Sequence, residues 1–284
     1  MREEIKCNRL KILVTNVLIK TYKKLTRLIN NKILQILNRR GRKVSTQKDI
    51  WDSIWSRGIE LTWDDLSEEI YQCLLKETQG VKGKKLIEAG SGTGRISLRM
   101  ATEGASVVLV DYSEKALKNA QGLFSKINQK GDFILADIMN MPLNNETADI
   151  TWNAGVLEHF TLSEQVKALE EMKRVTKTGG LVISLNPNAG CFPYRMGKYI
   201  AEQTGKWPYG IEDPVSSLVP VARKAGLNVI REYSIGFINA LDFLIFLPGG
   251  QYLQNEMINF FQNLSTEEQK LFPGYLLVSV MKRL

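Results

Sequence analysis

The stretch Leu86-Ile87-Glu88-Ala89-Gly90-Ser91-Gly92-Thr93-Gly94 constrains this chain more than any other. A short apolar run delivers an acid and then three glycines at alternate positions, and helical spacing follows. Glycine reaches backbone angles closed to other residues and lets a ligand approach the main chain closely. A strand that ends in such a loop and turns straight into a helix belongs to α/β architecture with a parallel sheet. A dinucleotide fingerprint has the form G-x-G-x-x-G. Position 95 is Arg here, so its third glycine is missing.

The pattern downstream continues strand, helix, strand. Strands are expected at Ser106 to Val110, Phe133 to Ala136, Ala148 to Trp152, Leu181 to Leu185, Asn228 to Tyr233 and Tyr275 to Met281. Helices are expected at Gly94 to Glu103, Ser113 to Ile127, Ser163 to Thr176 and Asp213 to Ala225. Parallel strands covered on both faces read as near-continuous apolar runs, as these do. Acids and amides fall at their carboxyl ends: Asp111, Asp137 and Asn153. Open α/β sheets bind ligands there.

The succession Glu88-x-Gly90-x-Gly92-x-Gly94, then Asp111, Ala136-Asp137-Ile138, Asn153-Ala154-Gly155-Val156-Leu157-Glu158-His159-Phe160, and a Glu170 to Leu185 segment holding Arg174 and Gly179-Gly180, resembles the class I S-adenosylmethionine (AdoMet)-dependent methyltransferases. Five matches in order over roughly a hundred residues carry the resemblance. It implies a seven-stranded, mostly parallel, doubly wound sheet of order 3-2-1-4-5-7-6 with strand 7 antiparallel. It implies AdoMet as cofactor and S-adenosylhomocysteine as product. Cofactor contacts are then expected at Glu88, Gly90, Ser91, Gly92, Gly94, Asp111, Tyr112, Asp137, Ile138, Asn153 and Gly155. Asp111 would take the ribose hydroxyls, and Asp137 with Ile138 the adenine edge. His159, the one histidine of the chain, is the candidate general base, with a reference pKa of about 6.5 that suits the role. A structural role in ordering the loop is its competing reading.

No Asn/Asp-Pro-Pro-Tyr/Phe follows the fourth strand, and no Pro-Cys, which excludes the usual signatures of base-amino and cytosine-C5 methylation. Tyr194, Trp207 and Tyr209, in a long insert at 188–213, are candidates for the acceptor wall. A second, Phe-rich insert occupies 236–272, and Ile235 to Leu253 reads as buried helix or substrate wall because Asp242 and Pro248-Gly249-Gly250 interrupt it. Trp55 and Trp63 are assigned to core packing, with capping of the cofactor as the competing reading. Such an apolar surround favours a small, partly hydrophobic acceptor methylated at oxygen or nitrogen. An RNA methyltransferase and a non-catalytic AdoMet-binding regulator are the rivals; paired acids for a polyamine are not evident.

Charge divides the chain. Residues 1–48 hold 14 Lys/Arg against Glu3 and Glu4, while the remainder holds 24 basic and 28 acidic groups. The net charge of +8 therefore belongs to the N-terminal segment. Residues 1–48 are expected to form a basic amphipathic helical extension, 49–80 a helical cap, and 81–284 the catalytic domain. The extension packs on the domain, lies on an anionic membrane through residues 10–43, or binds a partner or RNA; nucleic acid is disfavoured because only Tyr22 interleaves the basic residues. Cys7, Cys73 and Cys191 lack metal-site spacing, so no metal is expected and reduced thiols in a cytoplasmic protein are.

Overall fold

A computed structural model describes residues 46–56 and 63–284. The basic segment 10–43 lies outside the described residues. By contacts the chain divides between Thr46 and Gln47, two residues before the boundary expected from composition.

Two helices precede the sheet: α1 (Gln47–Ser56) and α2 (Asp65–Thr78). Then come β1 (Lys85–Ala89), α3 (Arg95–Thr102), β2 (Ser106–Asp111), α4 (Glu114–Lys126), β3 (Asp132–Leu135) and β4 (Ala148–Ala154). A 3-10 turn at Leu157–His159 leads to α5 (Leu162–Val175) and β5 (Thr176–Pro187). The remainder is α6 (Phe192–Gln203), α7 (Val219–Lys224), β6 (Asn228–Ile235), α8 (Phe237–Ala240), a 3-10 turn at Leu241–Phe246, α9 (Gly250–Gln262), α10 (Thr266–Gln269) and β7 (Leu276–Lys282).

The seven strands form one sheet of order β3-β2-β1-β4-β5-β7-β6, as expected. β1 pairs in parallel with β2 and β4, and β7 runs antiparallel between β5 and β6. Every residue of β2 after Ser106 is buried, which a strand covered on both faces requires. One face packs Trp152, Leu109, Phe124 and Met100 under α2, α3 and α4. The other packs Leu169, Met172, Val108 and Val182 under α5 and α7. Helix starts follow local chemistry: the Ser113 side chain accepts from Ala116 N, and Thr161 with Glu164 makes a reciprocal capping box.

Two expectations are corrected. The helix expected from Asp213 starts only at Val219. Pro214 brings no N–H, and the flanking amides are spoken for: Asp213 N donates to Glu158 O and Val215 N to Pro187 O, each at 2.8 Å. The segment is thereby held flat as a one-residue bridge between Asn188 and Val215. The insert 188–213 is not all loop, since Pro193 opens a twelve-residue helix, α6. Among the described residues, no helix is long and apolar enough to cross a membrane.

Candidate functional site

The glycine loop leaves β1 at Gly90 and enters α3 at Arg95. Two glycines in it have physical reasons. At Gly94 φ is +64°, and a Cβ would lie 2.0 Å from Leu109 Cδ2. At Gly90 φ is +80°, and a Cβ would lie 2.7 Å from Val156 Cγ2. The loop therefore lies flat on β2 and on the turn after β4, which a side chain at either position would prevent.

A cavity of about 380 Å³ opens above this loop. Glu88, Gly90, Ser91, Gly92 and Gly94 line one side of it, Asp111 and Tyr112 a second, and Gly155, His159 and Tyr209 a third. The volume falls within the usual range for small-molecule sites, roughly 300–1,000 Å³. Asp111 ends β2 and is 4% exposed. Its Oδ2 accepts from Gly92 N and its Oδ1 from Ser113 N, both at 2.8 Å. These bonds fix the carboxylate against the glycine loop and leave further lone pairs toward the cavity. Burial holds the Asp111 carboxyl above its ordinary range, opposed by the two amides. Burial also pushes Glu88 up to about 8, and its Oε2 meets no donor among the described residues. Burial, with Asp111 and Asp52 nearby, raises Tyr112.

The expected base, His159, is buried at the cavity wall, its side chain 6% exposed. Its Nδ1 lies 2.6 Å from the Ile211 carbonyl oxygen and its Nε2 3.7 Å from Glu158 Oε1. Burial lowers its pKa. Both ring nitrogens thus face protein atoms, and the ring edge meets Trp51 at 5.4 Å.

Other expected residues lie outside the cavity. Asn153 is fully buried in β4, where its Oδ1 accepts from Ser184 Oγ at 2.6 Å and its Nδ2 faces Met172 Sδ. Asp137 and Ile138 follow β3; Asp137 Oδ1 accepts from Met139 N at 2.8 Å and Ile138 packs into the core. Tyr194 is fully buried and donates to Glu212 Oε1, while Trp207 packs beside it and Phe243. Tyr194, on α6, and Trp207, just after it, therefore form a layer behind the wall, packed on each other and on Phe243, with Tyr194 also against Tyr275.

Sequence reasoning raised a cofactor cap for Trp55 but missed Trp51 beside it. Helix α1 places Trp51 and Trp55 in the cavity lining, stacked 5.6 Å apart, with Trp51 also 6.0 Å from Tyr209. The Trp55 ring sits 3.0 Å from where a Gly92 Cβ would be, and Asn119 Nδ2 donates to Trp55 O at 3.0 Å. Core packing for Trp55 is corrected accordingly. Trp63 is 41% exposed and donates to Glu68 at 2.7 Å, so it is not core either. The short tryptophan-rich segment carried the signal, but nothing local said what it would cover.

The residues fit AdoMet on structural grounds. Two buried carboxyls, Glu88 and Asp111, line the cavity, and an orphaned Glu88 oxygen awaits a donor. Comparison with known proteins points the same way. Residues 87–184 match the family model described as a methyltransferase domain. A ubiquinone/menaquinone biosynthesis C-methyltransferase of Coxiella burnetii is 32% identical over 152 residues, covering 50% of this chain and 55% of that protein. A phosphoethanolamine N-methyltransferase of Arabidopsis thaliana is 25% identical over 153 residues, covering 50% of this chain and 30% of the plant protein. The matches thus span between about a third and just over half of these curated relatives. An Aquifex aeolicus SAM-dependent methyltransferase structure has a TM-score of 0.54 at 17% identity, covering 82% of this chain and 98% of that one. A Haloferax volcanii putative methyltransferase in complex with the Trm112 activator has a TM-score of 0.56 at 16% identity, covering 84% and 97%. At these identities the structures show the shared fold.

Proposed function

Given that this chain carries a class I AdoMet-dependent methyltransferase domain, we propose that it methylates an oxygen or nitrogen of a small, partly hydrophobic acceptor. The observation that carries this reading is the aromatic roof: Trp51, Trp55 and Tyr209 line the cavity, Trp55 against the glycine loop, and offer apolar ring faces to a compact acceptor. The two named relatives, a phosphoethanolamine N-methyltransferase and a ubiquinone/menaquinone biosynthesis C-methyltransferase, support the small acceptor and not the choice of atom.

AdoMet, when bound, supplies a methyl carbon already activated by a sulfonium. The chain's part is then to position and to exclude water, which together can contribute about 7–11 kcal/mol toward the barrier. Asp111, held by Gly92 N and Ser113 N, is proposed to accept from the ribose hydroxyls. Glu88 would offer a buried acceptor to the amino-acid end, and Asp137 with Ile138, outside the cavity lining but with Asp137 near Tyr112, are proposed for the adenine edge. Gly155 and Val156, which line the cavity, would lie against the methionine part. The Nδ1 contact of His159 with the Ile211 carbonyl favours its competing reading, in which the ring shapes the acceptor wall and ties β4's turn to Ile211.

Calorimetric titration of AdoMet and S-adenosylhomocysteine into wild type and Asp111→Ala tests the cofactor reading. Micromolar binding, weakened at least tenfold by the substitution, is expected. A folded wild type that binds neither compound refutes it. Transfer of labelled methyl to a panel of small acceptors, against tRNA and total RNA, then separates the acceptor classes.

A further inference from the structure

Behind the cavity wall, the turn after β4 and the insert that follows α6 bring three side chains together that the sequence keeps far apart. One donor atom each from Glu158, His159 and Glu212 lie within 4.8 Å of one another. Glu158 is 2% exposed and Glu212 8%.

The hydrogen bonds around this cluster fix which atoms are bare. The Ile211 carbonyl can only accept, and its 2.6 Å contact assigns the ring proton to His159 Nδ1 over the longer 3.4 Å approach of Gln47 Nε2, which donates to Tyr209 O at 2.8 Å. In the neutral ring Nε2 then presents a lone pair, and what faces it at 3.7 Å is a second acceptor, Glu158 Oε1. The other oxygen of Glu158, Oε2, is buried and meets no donor among the described residues. Glu212 Oε1 takes the Tyr194 hydroxyl, which leaves Oε2 for another partner. The nearest ammonium, Lys198, is paired with Glu202 and lies over the Trp207 ring at 4.6 Å. Lone pairs therefore converge on one buried point, and buried acceptors require a donor or a cation.

We propose that Glu158, His159 and Glu212 form a binding site for one divalent first-row metal ion of the Zn²⁺ or Mn²⁺ class. Imidazole and carboxylate are the donors such ions take, and two carboxylates balance a charge of +2. The supporting shell is of the kind that metal sites need. The second nitrogen of the histidine donates to a backbone carbonyl, and a tyrosine hydroxyl holds one carboxylate. Bonds of about 2.0–2.2 Å around a tetrahedral ion put donors about 3.3–3.6 Å apart, so donors separated by up to 4.8 Å would draw in by as much as about 1.2 Å on binding. Three protein donors leave a coordination position open. His159 borders the cavity while Glu158 and Glu212 lie behind it, so the open position takes water or, if it faces the His159 side, an anionic oxygen of an acceptor. This last consequence rests on the methyl-transfer reading; metal binding itself does not.

Chelator-treated full-length protein, without AdoMet, is titrated with Zn²⁺ by calorimetry and with Mn²⁺ by electron paramagnetic resonance of the free ion. One equivalent bound with micromolar or tighter affinity is expected. The isosteric Glu158→Gln and Glu212→Gln variants should each lose at least tenfold in affinity, and Tyr194→Phe about tenfold or more through the supporting shell. Thermal melts accompany each, and either glutamine variant that melts like wild type suffices for the comparison. Absence of a stoichiometric site, or affinity unchanged in a folded glutamine variant, overturns the proposal. Titrating the same samples with AdoMet keeps the readings apart: cofactor binding without metal binding refutes the metal site alone, and the reverse refutes the cofactor reading alone.

Discussion

At the residue scale, the site rests on positions where one atom decides the outcome. Gly94→Ala forces a methyl to within 2.0 Å of Leu109 Cδ2 at a φ that L-residues avoid. The expected cost is about 1–3 kcal/mol in urea unfolding, with AdoMet affinity falling alongside. A stability change under about 0.5 kcal/mol, the size of an ordinary surface substitution, would sink the close-approach argument. Glu88 makes a pH prediction. Its folded pKa stands near 8, while an unfolded glutamate titrates near 4.3. Between those values the folded state keeps a proton that the unfolded chain has released. The group's contribution is thus intact below about pH 4.3 and fades as pH rises through 8. Melting temperatures of wild type should therefore fall relative to Glu88→Gln as pH is raised from 5 to 8 in the ligand-free protein. Parallel pH profiles for the two proteins would show that Glu88 is not held protonated.

At the element scale, local rules and tertiary demands diverge in instructive places. β1, β2 and β4 are legible because their apolar runs are buried on both faces and end at ligand-facing residues. α7 is shorter than its periodicity suggests because Pro214 and two long-range backbone bonds claim the residues before it. Helix α2 is tied to the far edge of the sheet by a buried acid: Glu77, its side chain 2% exposed, accepts from Arg231 Nε and Nη2 and from the Tyr233 hydroxyl. Arg231→Met should cost about 1–3 kcal/mol, the penalty for a buried acceptor stripped of its charged donor, although the arginine itself is half exposed. Chemical denaturation measures this, and AdoMet affinity should not change because neither residue borders the cavity. An unchanged unfolding midpoint would mean that Glu77 is satisfied without the arginine.

At the scale of the whole molecule, all seven strands and every residue lining the cavity fall within residues 47–284. A fragment of those residues should fold with a cooperative transition and bind AdoMet with the affinity of the full chain, checked by circular dichroism and calorimetry. A tenfold weaker fragment would show that the basic segment contributes to the cofactor site. Liposome sedimentation of the two proteins tests the membrane reading of residues 10–43 in the same experiment, since anionic-surface binding would go with the segment that holds the excess charge.

The sequence by itself determined the sheet, its order through a family resemblance, and the cofactor-facing loop. Those features are local: a glycine pattern, an acid at a strand end and an apolar run each carry their reason within a few residues. Sheet order came only with the resemblance. Tertiary structure alone decided the roof and the wall. Trp51 and Trp55 become a lid because α1 lies across Gly92, and Tyr194 becomes a support because α6 turns it inward onto Glu212. Glu158, His159 and Glu212 become one cluster because the bridge at Asn188 and Val215 draws the insert back against the turn after β4. Contacts between segments so distant in the chain leave no periodicity or spacing to read; they exist only once the packing that makes them has formed.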